Sequence, residues 1–86
     1  MITVDIAADL NDKNDTGHVW TLLDEARDPA LIRPGVLVIA GDEEFPAVAE
    51  VVDLVDHPKG TVVHLRLLPG RLADYQALLR RAGIPA

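Results

Sequence analysis

RPGVLVIAGD (33–42), PAVAEVVDLV (46–55), DHPKG (56–60) and TVVHLRLLPG (61–70) form three apolar runs cut by Pro and Gly. This is the sequence form of a small antiparallel β-meander. Val36 to Ala40 is apolar on both faces between Gly35 and Gly41, which predicts a central strand over 35–41. Strands over 47–55 and 61–68 follow, joined by the loop Asp56–Gly60, whose Pro58 and Gly60 suit a hairpin loop of that length.

A register can be written for this hairpin. Placing Val55 opposite Thr61 sets Asp53 against Val63, Val51 against Leu65 and Ala49 against Leu67, a largely apolar face. The other face pairs Leu54 with Val62, Val52 with His64 and Glu50 with Arg66, the last an opposite-charge pair across strands. Asp53 is left over on the apolar side near the hairpin end. It either reaches solvent there or is a buried carboxylate.

Working outward, residues 2–7 alternate Ile2, Val4 and Ile6 against Thr3 and Asp5, a half-buried strand with Asp5 on the polar side. Residues 9–17, DLNDKNDTG, are polar or Gly apart from Leu10 and read as a loop. HVWTLLDEAR at 18–27 supports two readings. One is a strand or extended segment over 18–23 followed by irregular or one-turn structure to Pro34. The other is a short helix at 19–27, with Val19, Leu22, Leu23 and Ala26 as its apolar stripe. Pro29 and Pro34 disfavour helix just before them, which tips the reading toward the strand. A C-terminal helix is expected over 71–82. Leu72, Tyr75, Leu79 and Ala82 lie on one face, Asp74 in the first turn, Arg80 and Arg81 in the last, and Gly83 as the stop.

The chain has 86 residues, so a single domain, 1–86, is expected. A chain of that length buries roughly 60–65% of its unfolded surface, which gives one modest core. Aromatics are scarce, one each of Trp20, Phe45 and Tyr75, so Val, Leu, Ile and Ala must do the packing. There is no Cys and no Ser, which removes disulfides, thiolate metal sites and both thiol and serine nucleophiles. The opening MITVDIAAD lacks the basic and apolar regions of a signal peptide. No apolar run approaches the ~18 residues of a membrane span, so a soluble cytoplasmic protein is expected.

Net charge is −6 and unevenly spread. Residues 1–60 carry 13 acids and 4 bases, whereas residues 61–86 carry 1 acid and 4 bases. The acidic body repels phosphate backbones and disfavours nucleic acid as a partner. It suits a basic protein partner, and it also keeps a small protein soluble.

The stretch IRPGVLVIAGDEEFPAVAEVVDLV…GTVVHLRLLPG resembles the middle of an SH3-like β-barrel, with its Pro-Gly opening, Val/Ile-rich strand, Gly-Asp turn and second strand ending near a charge. The resemblance covers residues 33–69 and implies a five-stranded barrel. The whole chain also resembles short proteins of high-GC bacteria, rich in Ala, Val, Asp and Arg. One SH3-like family, the endoribonuclease toxins, works with an Arg and a Ser or Thr in a basic groove. By that resemblance Arg33 or Arg66 would act with Thr61, but no matching motif is present and the body is acidic.

Other constellations compete with plainer readings. Asp12, Asn14, Thr16 and Gly17 match the start of an EF-hand loop, where oxygen ligands alternate on a tight turn. Leu23 stands where the bidentate Glu should be, so a turn of self-bonding Asp and Asn is the stronger reading and no cofactor is expected. His18, His57 and His64 lack spacing suited to one ion. Asp42, Glu43 and Glu44 read as a solvated turn rather than a catalytic carboxylate group. Trp20 reads as the largest member of the core, with Phe45 capping the barrel. In the competing reading the two form an exposed aromatic contact of the peptide-binding kind.

These readings converge on a five-stranded SH3-like barrel with a C-terminal helix, acting as a non-enzymatic binding or accessory module through protein–protein contact. The expected contact residues are Glu50, His64 and Arg66 on the outer face of the sheet and Arg71, Arg80 and Arg81 on the helix. The negative stretches 9–15 and 42–44 form the complementary surface, so head-to-tail self-association is also open. A toxin-type endoribonuclease or other small hydrolase is one alternative, and a weak Ca²⁺-binding module through Asp12, Asn14 and Thr16 is another.

Overall fold

In a computed structural model, residues 4–13, 15–70 and 72–75 are described. They form five strands: β1 (Ile6–Ala7), β2 (Val19–Leu22), β3 (Leu37–Gly41), β4 (Pro46–His57) and β5 (Gly60–Leu67). Short 3-10 turns occupy Leu23–Glu25, Pro29–Leu31 and Leu72–Tyr75. The strands make one sheet in the order β1-β3-β4-β5-β2. The central β3-β4-β5 meander is antiparallel, as its sequence requires. The parallel β1–β3 pair, Ile6 with Ala40 and Ala7 with Gly41, was not foreseen.

The sheet curls into a half-barrel, and its two edge strands are tied together. The Thr21 hydroxyl donates to the Ala7 carbonyl at 2.8 Å, and Ile6 bridges to Ala26. The core lies on the concave side. Ile6, Val19, Val38, Val51, Val63 and Leu65 are its largest fully buried side chains, packed with Ala40 and Ala49. Burying each of the larger side chains contributes about 1.5–3 kcal/mol. No aromatic belongs to this core among the described residues.

The ambiguous segment 18–27 is a strand that ends in a 3-10 turn, not a helix. Its alternation turns Val19 and Thr21 inward and Trp20 outward, at 41% exposure. Trp20 is therefore not a core residue, and Phe45, at 70% exposure, caps nothing. Of the expected strand 2–7, Ile6–Ala7 is strand, and residues 2 and 3 lie outside the described residues. Of the expected helix 71–82, Leu72–Tyr75 is one 3-10 turn and the rest lies outside the described residues.

Asp5 was placed on the polar side of its strand, and the structure buries it instead. Its carboxylate accepts the Ile39 N–H at 2.8 Å through one oxygen and meets the Arg27 guanidinium at 3.4 Å through the other. Its backbone donates to Ile39 and accepts from Arg27. Burial is tolerated because every hydrogen-bonding atom of the side chain has a partner.

The hairpin register holds over its first half: Ala49 faces Leu67, Glu50 faces Arg66 and Val51 faces Leu65. A β-bulge then intervenes, so that the next pair is Asp53 with His64 and Val52 is the extra residue. Beyond it Leu54 faces Val63, Val55 faces Val62 and Asp56 faces Thr61. The strands run on to His57 and Gly60, leaving Pro58–Lys59 as the turn in place of the expected loop 56–60. The bulge resolves the awkward carboxylate. It moves Asp53 off the core side to the outer face and puts Leu54 against the core in its place.

Candidate functional site

Three strands present one polar row on the outer face. Trp20 on β2 stands opposite His64 on β5, which stands opposite Asp53 on β4. The His64 Nδ1 lies 2.6 Å from an Asp53 carboxylate oxygen. Arg66 clasps Glu50 through two guanidinium nitrogens, Nε at 3.1 Å and Nη2 at 2.5 Å. The expected contact residues Glu50, His64 and Arg66 thus share one face, each with an opposite charge or hydrogen-bonding partner across the strand. Arg71, Arg80 and Arg81 lie outside the described residues.

A second feature lies where the edge strands approach each other. An open groove of about 830 Å³ runs between β1, the loop after it, β2 and the β3–β4 turn. Its floor is mostly apolar, from Ala7, Ala8, Leu10, Leu22 and Gly41. Trp20 and Phe45 both border it. Among the described residues four carboxylates line it, Asp9, Asp12, Glu25 and Asp42, and no Lys, Arg or His does.

Local chemistry explains why these groups are displayed. Asp42 accepts the N–H groups of Glu44 and Phe45 on one oxygen, at 2.9 and 2.8 Å, which folds the acidic turn and turns Phe45 outward. Gly41 adopts φ +107°, and a Cβ there would stand 2.5 Å from the Phe45 carbonyl oxygen. Only glycine fits that close approach. Asp9 accepts the Asn11 N–H at 3.0 Å, and its carbonyl accepts from Asp12. That short turn carries Asp9 and Asp12 to the rim.

Asp9, Asp12 and Asp42, from the two negative stretches singled out in the sequence, therefore meet at one place. Glu25 joins them because β2 ends in a 3-10 turn, in the stretch expected to be irregular or one-turn structure. Arg33, Arg66 and Thr61 do not line the groove. Thr61 pairs with Asp56 at the hairpin end, Arg66 is engaged by Glu50, and Arg33 donates to the Ala30 carbonyl. Of the calcium candidates, Asp12 and Thr16 are exposed, Thr16 Oγ1 lies 3.1 Å from His18 Nδ1, and Asn14 lies outside the described residues. Among the described residues no three His, Asp or Glu side chains are grouped as metal ligands.

Comparison with family models, curated proteins and solved structures finds no match to this chain. Among the described residues, no helix is long and apolar enough to cross a membrane.

Proposed function

We propose that this protein is a small, non-enzymatic binding or accessory module that works in the cytoplasm through protein–protein contact. In this reading the curled sheet is an SH3-like barrel with a helix over 71–82, and the groove at its mouth is the contact site. The observation that carries it is the exposure of Trp20 and Phe45 beside a mostly apolar groove. Large aromatics left in water next to a concave apolar floor mark interaction sites on small proteins. Self-association belongs to the same proposal, with Arg71, Arg80 and Arg81 of one copy facing the acidic surface of another.

An unbiased peptide-display selection against the whole protein, followed by amide-shift mapping, tests the reading. Selected ligands should perturb Trp20, Thr21, Gly41 and Phe45 and bind Phe45→Ala several-fold more weakly. Phe45 is exposed, so that variant keeps the fold. Ligands that map instead to Glu50 and Arg66, or that bind Phe45→Ala undiminished, would place the contact elsewhere and sink the groove as the site.

A further inference from the structure

The groove has a charge pattern that selects its occupant. The described residues include three ion pairs, Asp5 with Arg27, Asp53 with His64 and Glu50 with Arg66, and all of them lie outside its lining. The four carboxylates that line it are exposed, and among the described residues none belongs to an ion pair. Asp9 and Asp42 each spend one oxygen on backbone N–H groups, which leaves the other free to accept. Trp20 and Phe45, both exposed, line the same groove. Exposed aromatic side chains and unpaired carboxylates along one groove suit a guanidinium. The planar cation stacks on an aromatic ring while its N–H fork donates to the acids. A volume of about 830 Å³ holds several side chains, which a single small cation would not fill.

Resting on the groove as the contact site, we infer that its ligand is an extended, arginine-bearing segment of a partner protein. An arginine lies against Trp20 and Phe45, and flanking cationic side chains are held by Asp9, Asp12, Glu25 and Asp42. Apolar side chains of the same segment cover Leu10 and Leu22. Complementary charge speeds the encounter and sets specificity, so binding weakens as salt rises.

Trp20 is the only tryptophan of the chain, so its emission reports on the groove directly. The probes are a blocked octapeptide of alternating Arg and Leu, the same peptide with citrulline for arginine, and spermine, each titrated at low and at near-physiological salt. The arginine peptide should shift Trp20 emission and bind at least about ten-fold more tightly than the citrulline peptide. The double variant Asp12→Asn/Glu25→Gln leaves the Asp42 turn intact and should weaken it about five-fold, as expected for two exposed ionic contacts. Equal binding of the arginine and citrulline peptides, or an unchanged affinity in the double variant, would overturn the assignment. Spermine binding as tightly as the peptide would make this a small-polycation site and overturn it too. So would sedimentation as a concentration-dependent dimer that the arginine peptide dissociates, because the occupant would then be a second copy. If display yields Phe45-dependent ligands without cations, the groove reading stands and the arginine assignment alone falls.

Discussion

The outer face of the sheet and the groove at its mouth treat carboxylates in opposite ways. On the outer face Glu50 and Asp53 each stand across a strand from a base, within hydrogen-bonding distance. In the groove Asp9, Asp12, Glu25 and Asp42 share one lining with Trp20 and Phe45, and no base is among the described residues that line it. The first arrangement satisfies itself. The second concentrates negative potential over an apolar floor and gains if a cation arrives from outside. An acidic chain of this size thus carries two kinds of acid, those paired with a base across the sheet and those that, among the described residues, meet no base.

Three substitutions sharpen this contrast. Gly41→Ala attacks the frame of the groove. The new methyl meets the Phe45 carbonyl at 2.5 Å in a backbone conformation that L residues rarely adopt. Strain of this kind costs about 3 kcal/mol, and the melting temperature should fall by more than about 10 °C. A melting curve unchanged by the substitution would mean that Gly41 does not fix the Phe45 turn. Asp5→Ala removes a buried acceptor and strands the Ile39 N–H at the β1–β3 seam. Unfolding in urea should show a loss of about 2 kcal/mol, and a loss near zero would show that the seam does not depend on this carboxylate. The smallest effects separate the two classes of exposed acid. Glu50→Gln should cost less than about 1 kcal/mol, whereas Asp12→Asn/Glu25→Gln should leave the melting temperature unchanged or raise it slightly, because only like charges are relieved. Calorimetry that found the double variant clearly less stable would show that these groove acids support the fold after all.

Much of the architecture was legible because the meander is written in local signals. Pro, Gly and Asp mark its turns, and alternation gave the pairs Ala49–Leu67, Glu50–Arg66 and Val51–Leu65. The bulge at Val52 was not legible. On paper an unbroken register and a bulged one differ only in which side chain, Asp53 or Leu54, goes inside. The structure puts Leu54 against the core and Asp53 beside His64, an arrangement that buries an apolar group and pairs a charge. Trp20 misled for a related reason. Size suggested a core position, but Val19 and Thr21 take the inner side of β2, and the Thr21 hydroxyl finds the Ala7 carbonyl. The negative stretches 9–15 and 42–44 were visible as charge, yet their meeting was not, because it depends on β1 pairing with β3 across a long separation in sequence.

The sequence by itself determined a small β domain with an antiparallel meander at its centre, an acidic body, and no cysteine or serine chemistry. Those properties follow from composition and from the two-residue period of strands, which neighbours in the chain decide. The tertiary structure decided which strands close the sheet, that Asp5 is buried, that Asp53 lies outside, and that four acids and two aromatics border one groove. Each of these depends on contacts between residues far apart in the chain. The outcome is set by which packing leaves fewest buried polar groups unpaired, and among the described residues no buried side-chain nitrogen or oxygen lacks a hydrogen-bond partner.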